Sequence, residues 1–191
     1  MSVLDNIFPK EAFGNDDRKR ILAAFEQESL TRGDRLLHQG SAVNHYWFLE
    51  AGVVRSYAID PEGNEISTQF FTPGDIVIDW PAFFMRTPTK ERFEVLADGT
   101  AWRIGYTSFQ TLFHSIEAFR EAGRARLVKS YFDLKRHSTQ LITDTAKDRY
   151  LTFIDAHPEV IASVPLKMIA SYLGMTDTSL SRIRKEIAMN K

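Results

Sequence analysis

At 191 residues, 43% of them hydrophobic and 26% charged, the chain has the composition of a soluble globular protein with room for one large domain and a small one. It contains no cysteine, which excludes disulfides, cysteine-ligated iron–sulfur clusters and thiol nucleophiles. A formal charge of −1 gives no overall attraction to nucleic acid, and no apolar run approaches the roughly 20 residues of a membrane span. The first residues, MSVLDNIFPKEAF, carry acids and lack a cleavable apolar core, so no signal peptide is expected and the cytoplasm is the default compartment.

Residues 15–28 read as a helix, capped by Asn15 or Asp16, with Ile21, Leu22 and Phe25 on one face. From about Leu30 to Tyr106 the period changes. β-prone runs such as WFLEAGVVRSYAI and EISTQFF are punctuated by Gly33, Gly40, Gly52, Gly63, Gly74 and Gly99. Several of these gaps are near the ~8–12 residues of hairpin-linked strands. Asp60-Pro61-Glu62-Gly63-Asn64 and Thr72-Pro73-Gly74-Asp75 are turn sequences. An antiparallel β-barrel or jelly roll is the expected first domain.

Helical spacing returns from Ser108 to about Ile142, first in Phe109, Leu112, Phe113 and Ile116. A longer helix then carries Leu127, Leu134 and Leu141 at seven-residue spacing, with Tyr131 on the same side. Such a seam argues for pairing with a second helix; the alternative is that the stripe packs on the barrel. Asp144 or Thr145 is placed to cap a further helix with apolar positions Tyr150, Leu151, Phe153 and Ile154, ending near His157-Pro158.

The last stretch, VPLKMIASYLGMTDTSLSRIRKEI, holds two short helical patterns. Pro165 suits a first turn, and Ile169, Ala170 and Leu173 recur at helical spacing. Gly174 stops that helix where a left-handed residue is wanted, and Thr176 can cap the next. Leu180, Ile183 and Ile187 then form one apolar face. This is the form of a helix-turn-helix. An ordinary helical hairpin is the alternative, and the outward face of the second helix argues against it. Thr176, Asp177, Thr178, Ser181, Arg182 and Lys185 are polar, mostly short and led by one arginine. Arginine can donate two bonds to a guanine edge, while Thr and Ser suit phosphates or thymine methyls. From Gly174 onward four bases (Arg182, Arg184, Lys185, Lys191) face two acids (Asp177, Glu186). So small an excess predicts weak binding by one copy, hence two copies on one duplex.

In this order the parts resemble the Crp/Fnr family of bacterial transcription regulators over nearly the whole chain. The resemblance rests on Gly33-Asp34, Gln39-Gly40, Trp47-Phe48, Gly52-Val53-Val54-Arg55, Gly63-Asn64-Glu65, Pro73-Gly74-Asp75 and the terminal motif. It implies an α+β protein with a cyclic-nucleotide-binding-type antiparallel β-roll or jelly roll over 1–116. A dimerisation helix over 117–142 and an all-α helix-turn-helix domain over 143–191 would follow. It further implies a homodimer, double-stranded DNA as partner, RNA polymerase as a candidate partner and a small-molecule effector. The β-hairpin wing of many relatives has no counterpart before Lys191, so a variant without it is expected.

Members that bind cyclic AMP carry a Gly-Glu-Leu run after the Pro-Gly-Asp turn, and an Arg-Ser/Thr pair ten residues beyond its glutamate. Here Ile78, Asp79 and Trp80 stand in the first place, and Thr89 and Lys90 in the second. Asp79 could accept a ribose hydroxyl, but Ile78 puts a branched side chain where backbone must come close. Thr89 brings no charge, leaving Lys90, Arg86 or Arg92 to meet a phosphate without the guanidinium–serine pair. Ordinary cyclic AMP binding is therefore not expected, and no cofactor is. Trp80, Phe83, Phe84 and Met85 either line a more apolar effector site or fill the old pocket; aromatic clusters are commonly core, which favours filling. A metal-dependent enzyme, or a small-molecule-binding barrel without DNA-binding activity, is the alternative class. It would need converging ligands, whereas His38, His45, His114, His137 and His157 are scattered and no P-loop or dinucleotide fingerprint occurs. A non-enzyme is expected.

Overall fold

The computed structural model describes residues 2–189 and begins with two short helices, α1 (Val3–Ile7) and α2 (Asn15–Ala23). Ser2 and Asp5 close a reciprocal capping box on α1. Gly14 is the N-cap of α2 and neither Asn15 nor Asp16 caps it; Asp16 and Asp17 instead place negative charge in its first turn. The helix stops at Ala23 rather than reaching residue 28, because Glu26–Leu30 form strand β1 against residues 99–103. Cross-strand pairing there outweighs the weak helical preference of the segment.

Strands β2 (Arg35–Leu37), β3 (His45–Ile59), β4 (Glu65–Phe71), β5 (Ile76–Val77) and β6 (Arg92–Gly105) complete an antiparallel sheet. Its order is β1–β6–β3–β4, with β2 also on β6 and β5 also on β3. Both expected turns form. The Asp60 carboxylate accepts from Asn64 N at 2.7 Å, and Asp75 accepts from Thr72 N at 2.8 Å. Gly52 and Gly99, however, do not separate strands; they lie inside β3 and β6, where the register shifts between Leu49 and Val54. The two backbones meet so closely that a Cβ on Gly99 would stand 1.9 Å from the Ala51 carbonyl oxygen. A glycine inside a strand can thus mark a bulge and a close crossing rather than a chain reversal.

The roll interior is one apolar core, containing Phe48, Leu49, Phe71, Phe93 and Val95. Helices α1, α2, α4 (Tyr106–Ser115) and the start of α5 (Glu117–Thr143) close it through Phe8, Ile21, Phe109 and Phe119. Each such side chain contributes about 1.5–3 kcal/mol by leaving water. Helix α3 (Trp80–Met85) lies in the β5–β6 connection.

Beyond α5 come α6 (Ala146–Ala156), α7 (Pro158–Ser163), α8 (Leu166–Tyr172) and α9 (Asp177–Met189). Of the two expected caps, Thr145 is the one used, accepting from Asp148 N. Helix α7 starts at Pro158, where a missing N–H is tolerated, so the chain does not simply break there. These helices share a second core with Val53, Phe70 and Leu96 from the outer face of the roll. Ser171 of α8 bonds Ser67 of β4 through both Ser67 N (3.1 Å) and Oγ (3.0 Å).

Helix α5, about 40 Å long at 1.5 Å per residue, has only Phe119 fully buried. Tyr131 and Leu134 are 60% and 64% exposed, and Leu127, Val128, Phe132 and Ile142 are exposed beside them. The stripe therefore does not pack on the barrel. Leu141 is partly turned away: a Cβ on Gly174 would come within 2.9 Å of its Cδ2.

Gly99→Ala should cost at least about 2 kcal/mol in chemical denaturation, because backbone must move to admit the methyl. Gly123→Ala, which meets nothing within 4 Å inside α5, should instead stabilise by about 0.5–1 kcal/mol. Equal midpoints for the two variants would contradict the close crossing.

Candidate nucleic-acid interface and effector cavity

Pro165 precedes α8 as its N-cap, and the helix proper starts at Leu166. Gly174 has φ +64°, the left-handed turn expected, and Met175 N donates to Ala170 O at 3.0 Å. Thr176 Oγ1 accepts from Ser179 N at 3.1 Å and so caps α9. Its hydroxyl is already engaged, which leaves it less free for a phosphate. Ile169, Ala170, Leu173, Leu180 and Ile183 are buried between the two helices, and Ile187 packs partly against them.

On the opposite side of α9, Asp177, Thr178, Ser181, Arg182 and Lys185 are all exposed, as is Thr176 at its start. Among the described residues neither Arg182 nor Lys185 has an ion-pair partner; the nearby pair is Lys147–Glu186 at 2.5 Å. Arg149 is a positioning residue that the sequence pattern does not signal. Its Nε donates to Leu173 O at 2.8 Å and its Nη1 to Asp144 O at 2.7 Å, tying α6 to the turn. Lone backbone contacts of this kind have no sequence period.

Helix α8 is itself held to the roll and to α5. The Tyr172 ring packs 5.4 Å from Phe70, and the His137 ring stacks on it at 4.1 Å. His157 lies 4.9 Å from the Phe153 ring. Burial pushes both imidazoles below the ordinary histidine range; the Arg149 charge adds to this at His137, while Asp75 and Glu159 oppose it at His157.

The residues expected around an effector do not converge on one cavity. Asp79 Oδ1 accepts from Ala82 N at 3.0 Å as the N-cap of α3, and Oδ2 accepts from Thr89 Oγ1 at 2.5 Å. Thr89 is 2% exposed and its hydroxyl also accepts from Glu91 N. The two residues at the sugar and phosphate positions thus satisfy each other. Lys90 is exposed, Arg92 reaches only Gln39 at 3.5 Å, and Arg86 is spent on Val43 O, Asn44 and the face of Tyr106. Glu91 adds a second carboxyl, held above its usual range chiefly by burial.

Ile78 and Trp80, by contrast, line a cavity of about 280 Å³. Phe83 and Phe84 join them, Trp80 and Phe84 stacking at 5.9 Å, whereas Met85 is exposed and takes no part. The aromatic cluster therefore supplies core and cavity wall at once. The remaining walls come from Tyr46, Phe48, Phe109, Phe119 and Arg126 among others, residues of β3, α4 and α5 that no local pattern connects. Among the described residues no three His, Asp or Glu side chains gather in metal-binding geometry.

These features define a β-roll joined by a long helix to a small helical unit, and residues 27–115 match the family model of the cyclic nucleotide-binding domain. Over most of its length the chain has the fold seen in Crp/Fnr-type regulators. FixK2 from Bradyrhizobium japonicum superposes with TM-score 0.74 at 18% identity, over 87% of this chain and 85% of that one. The c-di-GMP-responsive global regulator CLP of Xanthomonas campestris gives 0.72 at 18%, over 92% of each. A protein from Eubacterium rectale assigned to the crp/fnr family gives 0.75 at 14%, over 97% and 88%. No curated protein sequence matches the chain.

The two half-buried histidines, His137 and His157, set a pH dependence. Unfolded, they bind protons near pH 6.5; folded, they resist protonation, so the unfolded chain binds more protons as pH falls below that value. Stability should therefore rise with pH up to about 6.5 through these groups and level off above it. The loss of Tm between pH 7.5 and 5.5 should be smaller in a His137→Gln, His157→Gln double variant; an unchanged slope would show that neither ring is buried.

Proposed function

We propose that the chain is a cytoplasmic transcription regulator of the Crp/Fnr type, acting by binding and not by catalysis. In this reading 1–116 is the effector-domain roll, 117–142 the dimerisation helix and 143–191 the helix-turn-helix domain. The observation that carries it is the two-sidedness of α9. Leu180 and Ile183 are buried, while Asp177, Thr178, Ser181, Arg182 and Lys185 stand exposed with the arginine and lysine unpaired among the described residues.

Two such helices, related by pairing of the exposed α5 stripes, would enter successive major grooves about 34–36 Å apart. Burying Leu127, Tyr131 and Leu134 against a second copy would remove an apolar surface that water otherwise covers at a cost. Arg182 reads a base, Asp177 and Thr178 tune the choice, and Ser181, Lys185 and Thr176 hold phosphates. Double-stranded DNA is the partner, with RNA polymerase a second. The self-satisfied Asp79–Thr89 pair supports a degenerate nucleotide pocket and no specific cyclic AMP binding.

DNA selected from a random library by the purified protein tests this. Arg182→Ala should weaken the selected site by about 1–3 kcal/mol and relax one base pair, whereas Lys185→Ala should weaken all sequences alike. Leu134→Asp should give a monomer by sedimentation and abolish cooperative site binding. A wild-type protein that selects no sequence, or a Leu134→Asp dimer, would refute the reading.

A further inference from the structure

Helix α5 places Arg126 two turns beyond Phe119, on the side facing the aromatic cavity. Its guanidinium lies 5.5 Å from the Phe48 ring centroid and 5.9 Å from that of Phe8. Nη1 donates to Ala122 O at 3.2 Å and Nη2 to Ile7 O at 3.4 Å. Two of its five N–H donors are so used. Among the described residues no carboxylate pairs with it, although its neighbour Arg124 is paired with Glu121. Burial makes that charge costly and lowers the guanidinium's affinity for its proton.

Tyr46, from β3, contributes the other polar group. Its ring is buried in the cavity wall, its hydroxyl makes no hydrogen bond to another described residue, and it lies near enough to feel the Arg126 charge. Phe48, Trp80, Phe83, Phe109 and Phe119 form carbon walls around them. Arg120, Glu121 and Arg124 also line the cavity, but Glu121 is paired with Arg124 and Arg120 donates to Phe113 O, so among the described residues no carboxylate answers Arg126 and Tyr46 inside the aromatic box. That combination asks for a ligand with an apolar body and one anionic end.

We propose that this cavity binds a small aromatic monocarboxylate, its ring among the phenylalanines and its carboxylate accepting from the Arg126 guanidinium and the Tyr46 hydroxyl. A cavity of about 280 Å³ lies near the lower end of ordinary small-ligand pockets, which suits a one- or two-ring acid. An inorganic anion would gain nothing from the carbon walls. Trp80 and Phe84 of α3 line the same cavity as Arg126 and Leu127 of α5, and Leu127 also belongs to the exposed stripe. A ligand there touches the element that would pair two copies, so its binding can be coupled to how they pair. That regulatory consequence rests on the proposed function; the binding itself does not.

Calorimetric titration of the full-length protein without DNA, using 2-naphthoate and the isosteric neutral 2-naphthamide, tests the assignment. The acid should bind saturably, one per protomer, and about tenfold or more tighter than the amide. Arg126→Gln should erase that preference, and Tyr46→Phe, which removes a single oxygen and should leave Tm nearly unchanged, should reduce it. Equal affinity for acid and amide, no saturable binding by about 1 mM, or a preference that survives both substitutions would overturn the proposal. So would binding that vanishes as protein concentration drives self-association, since the second copy would then occupy the cavity. A protein that binds 2-naphthoate but selects no DNA would leave the ligand site standing and sink the regulator reading alone.

Discussion

Three adjacent residue pairs on three neighbouring strands hold the molecule together: Val53 and Val54 on β3, Phe70 and Phe71 on β4, Val95 and Leu96 on β6. In each pair one side chain enters the roll interior and the next enters the core shared with the C-terminal helices. Strand alternation makes this possible, because successive residues point to opposite faces. A corner of sheet that is apolar on both sides must be covered on both sides. Helices α6 to α9 are therefore docked to the roll by the same strands that build it.

That constraint settles what faces solvent. With α8 held against β4 through Ser171, Phe70 and Tyr172, the buried face of α9 is fixed by Leu180 and Ile183, and its polar face has nowhere to turn but outward. At the other end, α5 leaves the roll after burying Phe119 and carries its apolar stripe into solvent. Exposed polar helix and exposed apolar helix are thus both consequences of where the two cores end.

The effector region follows a different logic. In the turn after β5, Asp79 is committed to Ala82 and Thr89, so its polar groups lock the backbone of the α3 connection rather than await a ligand. Two further donor-bearing side chains, Arg126 and Tyr46, lie elsewhere, in the wall of an aromatic cavity. Polar groups in low dielectric are costly when unanswered. Their position beside α5 connects the roll's chemistry to the helix that bears the exposed stripe.

Local features were legible in the amino-acid sequence because each is written within one turn of chain. Gly174 in its left-handed conformation, Thr176 as a cap, the Asp60–Asn64 and Thr72–Asp75 turns and the helical period of Leu180 and Ile183 all depend on near neighbours alone. Tertiary structure decided the rest. The end of α2 at Ala23 depends on β6, some seventy positions away, and Gly52 and Gly99 read as turn residues until their two strands cross. Arg126 and Tyr46 share no spacing, and only folding brings a helix side chain and a strand side chain to one cavity. Backbone preference is a near-neighbour property, whereas a cavity or a crossing is made by residues whose separation along the chain carries no signal.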